Sequence, residues 1–301
     1  MNTKTKTKTK TKTKTKTKKN IHHTHKQHKQ HKQHTKNVIS ILSYNIAWES
    51  MSGSVNKWAL CNNTTDSSNP RHVSVCVKNI ANVINDLSND ELVLDFITLQ
   101  EATGYKKLAQ QSSTLNNMIN NKQYALHKSG LDTIITFWSR TYKLLYKITG
   151  EFEKGRPWIA TIFNNGICLI NVHMGHHNVK NTEFYILDKM MTEIKYKINK
   201  YELQKLKHTK QHIYRYIISG DFNCDIKRSF DKSINNTEDS SFILNTTKMF
   251  YNPKHLLTCC IKRQTHNDHV LDSKQQPIDI IIANAKYMAS DHKPILVTLE
   301  K

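Results

Sequence analysis

The sequence predicts an α+β domain in which two packed β-sheets are flanked by helices. Strand-like apolar runs outnumber helical ones, the two strongest amphipathic helices fall one in each half of the chain, and no linker-like stretch divides them. One domain, residues 38–301, follows from this, preceded by a compositionally distinct tail, residues 1–37.

From Val38 to Ile46 the side chains are largely apolar and β-branched, a buried strand with Asn45 near its end. Gly, Asn and Ser crowd residues 50–70, which read as a loop. Val73, Val77, Ile80, Ile84 and Leu87 recur at three- and four-residue steps and mark a helix over 72–87. Leu92–Leu99 is a strand that delivers Glu101 at its end. Further strands are expected over Thr133–Trp138, Tyr142–Ile148, Trp158–Phe163 and Ile167–His173. Ile186, Met190, Ile194 and Ile198 form one stripe of a long helix over about 183–206. The strands Ile213–Ser219, Ile278–Ala283 and Pro294–Glu300 complete the chain.

Thirteen of the 21 net positive charges fall in residues 1–37, which contain no acid, leaving about +8 for the rest of the 301-residue chain. That tail alternates Thr and Lys from Thr3 to Lys18 and repeats His-Lys-Gln from His25 to His34. With almost nothing apolar to bury it is expected to be disordered. Its readings are a basic arm that draws nucleic acid in a salt-dependent way, an adventitious metal-binding tract, or a solvated repeat expansion. No apolar run reaches the roughly 18 residues of a membrane span, and no signal-peptide core follows the basic start. A soluble, intracellular protein is expected, cytoplasmic or nuclear. Six cysteines without a Cys-x-x-Cys pair fit reduced thiols, with Cys61 and Cys76 the one spacing compatible with a bridge.

Polar residues fall in or just after the expected strands: Asn45, Glu101, His173, Asp221, Asn223, Asp279 and His292. If those strand ends converge, they build an acidic cleft edged by histidines. Asp221 and Asn223 offer oxygen ligands that suit a hard cation such as Mg²⁺. Asp291 with His292 adds a carboxylate and an imidazole that can handle a proton near neutral pH. Such a cleft suits phosphodiester cleavage, where a cation neutralises phosphate oxygens and the leaving alkoxide. Taken singly, each residue fits ordinary turn or cap chemistry; coincidence across seven does not.

Ser43-Tyr44-Asn45-Ile46, Leu99-Gln100-Glu101-Ala102, Asn171-Val172-His173-Met174, Gly220-Asp221-Phe222-Asn223, Ile278-Asp279-Ile280-Ile281 and Ser290-Asp291-His292 occur in that order. In this they resemble the motifs of the endonuclease/exonuclease/phosphatase superfamily, whose best-known member is deoxyribonuclease I. The resemblance spans Val38 to Glu300 and implies a four-layer sandwich of two mostly antiparallel sheets between helices. It implies a Mg²⁺-dependent phosphodiesterase, with Mn²⁺ able to substitute, and a monomer acting on DNA or RNA. Asn45, Glu101 and Asp291 would then serve as metal ligands, while Asp221 and Asn223 position the attacking water and contact phosphate. His173 and His292 would contact the scissile phosphate and move protons, His292 oriented by Asp279. Asp132 resembles the acid that steadies the first histidine, and Arg156 a phosphate-contacting arginine. Ile-Ala-Trp-Glu after Asn45 departs from several subfamilies, so substrate preference does not carry over. The alternatives are a phosphoesterase acting on an inositol phosphate, sphingomyelin or a protein-DNA adduct, and a non-catalytic nucleic-acid-binding protein.

Overall fold

The computed structural model describes residues 38–47, 72–88, 93–176, 182–205, 213, 215–224, 257–259, 265–274, 277–282 and 290–301. The basic tail and the loop over 50–70 lie outside them. In chain order the elements are β1 (Val38–Asn45), α1 (His72–Leu87), β2 (Phe96–Gln100), α2 (Tyr105–Gln111), α3 (Ser113–Asn120), β3 (Tyr124–Ser129) and β4 (Asp132–Trp138). There follow β5 (Leu144–Glu153), β6 (Arg156–Phe163), β7 (Ile167–His173), α4 (Thr182–Lys205), β8 (Arg215–Asp221), β9 (Asp268–Asp272), β10 (Pro277–Ile282) and β11 (Ile295–Glu300).

The strands form a six-stranded sheet, ordered β10-β11-β1-β2-β4-β3, and a five-stranded sheet, ordered β5-β6-β7-β8-β9. Each is antiparallel except for one central parallel pair, β1–β2 in the first and β7–β8 in the second. Three apolar layers hold the domain together. Leu42, Tyr44, Leu99 and Phe137 pack on Val77, Ile80 and Ile84 of α1 and on Leu108 and Leu115 of α2 and α3. Ile170, Val172 and Ile218 pack on Leu187, Met191 and Ile194 of α4. Ile39, Ile41, Phe96, Ile159 and Leu169 meet between the sheets. The central strands are therefore buried on both faces, which is why they read as near-continuous apolar runs. The expected sandwich is present, with one more strand in one sheet than in the other.

Burial also isolates one ion pair. Arg215 Nε and Nη2 donate to Asp272 Oδ1 and Oδ2 at 2.8 and 2.7 Å, and Nη1 donates to the Glu300 carbonyl, all at the β8–β9 edge of the core. Asp272→Ala would leave a buried guanidinium without its carboxylate, and is expected to lower unfolding stability by about 3 kcal/mol. An Arg215→Met/Asp272→Leu double variant should recover most of that loss in a urea melt, since an apolar pair needs no desolvation of charge. Cys168 is a buried thiol, whereas Cys76 and Cys259 are disulfide-bonded; the expectation of reduced thiols, which left Cys76 open to a bridge with Cys61, does not hold for Cys259. Among the described residues no helix is long and apolar enough to cross a membrane.

Candidate active site

Parallel neighbours end at the same edge of a sheet, so the two parallel pairs decide where the chemistry collects. Asn45 ends β1, Glu101 follows β2, His173 ends β7 and Asp221 ends β8, with His173 and Asp221 in direct register. Polar pins fix one sheet against the other just below this edge. Thr98 and Ser219 hydroxyls lie 2.8 Å apart, and Gln100 Nε2 donates to Asn171 Oδ1 at 2.7 Å. Asn171 Nδ2 donates in turn to the Leu99 and Ile135 carbonyls at 3.2 and 3.0 Å. The short bonds of these buried groups run from one sheet to the other, so the same bonds that satisfy them hold the strand ends together.

Asn45 bridges the sheets at the site itself. Its Nδ2 donates to Glu101 Oε1 at 3.1 Å and to Asp221 Oδ2 at 2.8 Å, while its Oδ1 accepts from the Ala47 amide at 3.0 Å. Two carboxylates from different sheets thus share one amide, which fixes the orientation of that amide. Glu101 and Asn223 both adopt left-handed backbone, φ 50° and 51°. Asn tolerates this conformation; for Glu it costs on the order of 1–2 kcal/mol. Backbone strain of this kind persists where surrounding structure imposes it, and it clusters at functional sites. Here the Ala102 amide, bonded to the Thr133 carbonyl, holds the bend. Asn223 is held by its own amide N–H on Asp221 Oδ1, 2.8 Å, and its Nδ2 on the Met174 carbonyl, 2.7 Å.

Each histidine is backed by an acid. His173 Nδ1 lies 2.6 Å from Asp132 Oδ2, and its Nε2 faces Asp221 Oδ2 at 3.7 Å, Glu101 Oε1 at 3.8 Å and Arg156 Nη1 at 2.6 Å. Burial pulls its pKa down, but the Asp132 hydrogen bond and the nearby carboxylates prevail and raise it. Arg156 works the other way, because a guanidinium only donates and needs an unprotonated Nε2. In the neutral ring that accepts from Arg156, the remaining proton is on Nδ1, donated to Asp132. His292 Nδ1 lies 2.9 and 3.1 Å from the two Asp268 oxygens, and its Nε2 faces Asp221 Oδ2 at 3.6 Å and the Cys259 sulfur at 3.3 Å. Burial disfavours its charge, yet Asp268 and Asp221 push its pKa up to about 10. Burial raises Asp268 to about 6, so between those two values the pair is a carboxylate with an imidazolium. Asp221 is also deeply buried, but His292 and His173 overcome that and hold it below the usual carboxylate range. Glu101 goes the other way, raised by burial against the pull of His173.

No family model matches the chain. An uncharacterized protein of Acanthamoeba polyphaga mimivirus is 29% identical over 274 residues, covering 87% of this chain and 50% of that protein. The chain therefore spans half the length of the curated relative it matches. Among solved structures, ANGEL2, a 2′,3′-cyclic phosphatase, in complex with adenosine-2′,3′-vanadate, aligns over 88% of this chain and 96% of its own with a TM-score of 0.54 at 15% identity. An endonuclease/exonuclease/phosphatase family protein from Leptotrichia buccalis gives 0.53 at 14% identity, covering 87% of this chain and all of that one. Humanized D. rerio TDP2 gives 0.53 at 13% identity, over 88% and 99%. The chain has the endonuclease/exonuclease/phosphatase fold.

On that fold Asn45, Glu101, Asp132, Arg156, His173, Asp221, Asn223 and His292 come together in one cluster, part hydrogen-bonded and part joined by the approach of His173 and His292 to Asp221 at 3.7 and 3.6 Å. Burial raises the Tyr44 pKa, with Asp291 adding to it, and Asp291 adds to the larger push of Asp268 and Asp221 on His292. One expectation needs correcting: the carboxylate on His292 Nδ1 is Asp268, not Asp279. β9 runs antiparallel to β8 with Asp268 directly opposite Asp221, which delivers it to the same edge. Asp279 pairs through its backbone with Thr298 on β10–β11, and its side chain lies outside the described residues. Ser290, given no role of its own in the Ser290-Asp291-His292 motif, has one here. Its hydroxyl donates to the Asn45 carbonyl at 2.8 Å and accepts from the His292 amide at 3.1 Å, tying the Ser-Asp-His turn to β1. A hydroxyl two residues before a histidine is a recognisable turn-former and could have signalled this.

Proposed function

We propose that this protein is a divalent-metal-dependent phosphodiesterase that cleaves nucleic acid. The observation that carries the proposal is the shared Asn45–Glu101–Asp221 bridge between two acid-backed histidines, which sets buried carboxylates against Arg156 and the histidines. The donors fit a hard cation through their oxygens: the Glu101 and Asp221 carboxylates, with His173, offer ligand atoms within 4.8 Å of one another. Glu101, Asn45 and Asp291 are proposed to hold Mg²⁺ or Mn²⁺, which when bound would neutralise the phosphate and its leaving oxygen. Around it, Asp221, kept ionised by the two histidines, and Asn223 would orient the attacking water. His292, protonated at neutral pH, would donate from Nε2 to a non-bridging oxygen, and Arg156 would pair with a second one. His173, fixed by Asp132, would stand beside the leaving group. The basic arm over 1–37 would raise the local concentration of a polyanion.

A second reading, hydrolysis of a terminal or cyclic phosphoester, takes support from ANGEL2, a 2′,3′-cyclic phosphatase sharing the fold. Incubating the full chain with supercoiled plasmid and with a labelled single strand, with Mg²⁺ or with EDTA, tests the choice. Nicking or strand cleavage that EDTA abolishes is expected. Turnover confined to 2′,3′-cyclic phosphates would move the assignment to the second reading.

A further inference from the structure

Beside the acidic floor the structure builds a rim from three loops, and one residue on it is out of character. β3 and β4 are joined by the two residues Gly130 and Leu131, with Ser129 and Asp132 paired across the turn. Gly130 has φ 56° and Leu131 has no positive φ, the signature of a tight type II′ hairpin, which needs glycine first and is compatible with a polar residue second. The second position instead carries a leucine that is 73% exposed. It is not exposed for want of order. Thr103 Oγ1, in the loop after Glu101, donates to the Leu131 carbonyl at 2.9 Å. Across the other side, the Gly155 amide donates to Ser129 Oγ at 2.8 Å, which docks the β5–β6 turn against the same hairpin. Leu131 is thus held out to solvent by neighbours on both sides. It immediately precedes Asp132, the acid behind His173, and the turn docked beside it leads into Arg156.

The elements that meet at this tip carry exposed lysines, alongside the exposed Glu151 and Glu153 of the β5–β6 hairpin. Lys154 in the β5–β6 turn, Lys128 on β3 and Lys106 and Lys107 at the start of α2 are all exposed. Among the described residues the other large exposed apolar side chains are Val93, Tyr185 and Tyr196, none of which is bonded into this rim. An exposed apolar point next to the site's carboxylates, with lysines on the elements that meet there, matches a strand whose bases are apolar on their faces and whose backbone is anionic.

Resting on the nuclease reading above, we propose that Leu131 is a substrate-positioning platform. The base of the nucleotide flanking the scissile phosphate packs on it, while the adjoining phosphates run to Lys154 and the α2 lysines. An unpaired base presents its face to such a tip and a stacked duplex does not, so a single-stranded or frayed end is the favoured substrate.

The test is steady-state cleavage of a labelled single-stranded oligonucleotide, and of the same strand with one abasic residue beside the cut site, by the full wild-type chain, Leu131→Ser and Leu131→Tyr. Removing the apolar contact is expected to raise KM about 10-fold with kcat nearly unchanged, in line with the loss of one partly covered leucine. Leu131→Tyr should restore or lower KM, and the abasic strand should erase the difference between wild type and Leu131→Ser. All three proteins should melt alike, since the side chain is exposed. An active wild type whose KM is indifferent to Leu131→Ser overturns the inference alone. A wild type that cleaves no oligonucleotide but hydrolyses another phosphoester overturns the nuclease reading, and the inference with it.

Discussion

His292→Ala is expected to lower kcat/KM for phosphodiester cleavage by about 10³-fold or more, the scale of losing a positioned, charge-assisted donor at a reacting phosphate. Nothing else described can substitute: Nε2 is the atom that faces Asp221 across 3.6 Å, and Nδ1 is fully engaged with Asp268. The geometry also predicts that Asp268→Asn is the milder lesion, about 10- to 100-fold, because it removes the orienting acid and leaves the imidazole. An Asp279→Asn variant that fell further than Asp268→Asn would reverse the assignment of the orienting acid. His292 has a signature in stability as well. Its folded-state pKa of about 10 lies above the unfolded value, so its contribution is complete below about pH 6.5 and is lost as pH rises toward 10. Thermal melts between pH 7 and 10 should therefore fall more steeply for the wild type than for His292→Gln. Parallel curves would show that Asp268 and Asp221 do not hold the proton on this ring.

The sequence revealed the strands that build the site far better than the elements around it. β1, β2, β7 and β8 are buried on both faces, so their apolar runs announced them and placed Asn45, Glu101, His173 and Asp221 at their ends. The apolar steps of α1 gave its bounds directly. By contrast β3, reading Tyr-Ala-Leu-His-Lys-Ser, is half exposed and mixes polar residues into both faces, and it was not seen. The short helices α2 and α3 each bury only two residues, Leu108 with Ala109 and Leu115 with Met118, too few to print a period. The same weakness hid Asp268. Its strand β9 is five residues long and begins and ends in Asp, so it resembles loop until its pairing with β8 is known. The site was legible where burial imposed a pattern. It was illegible where a residue's role depends on which strand lies next to it, a fact that local sequence does not carry.

Gly220→Ala is expected to be severely damaging for a single added methyl group. Gly220 sits in β8 with φ 148°, and a Cβ there would lie 2.0 Å from the Val172 carbonyl oxygen and 2.9 Å from the carbonyl carbon. Both atoms are backbone of β7, the parallel partner, so no side chain can swing away; the strands themselves must part. That separation would break the ladder that sets His173 opposite Asp221 and pull apart the bridge Asn45 makes to Asp221. The loss should reach at least about 5 kcal/mol, comparable with the whole stability of an ordinary domain, so the variant should fail to give a cooperative urea transition. Gly155→Ala supplies the control. It too has a left-handed backbone, φ 81°, but nothing lies within 4 Å of the added carbon, so only the conformational penalty of about 1 kcal/mol applies. If the two variants unfold at the same urea concentration, the close approach of β7 and β8 at Gly220 is not what aligns the two halves of the site. If only Gly220→Ala collapses, glycine before Asp221 is there because the parallel strands that carry the histidine and the acid must come that close.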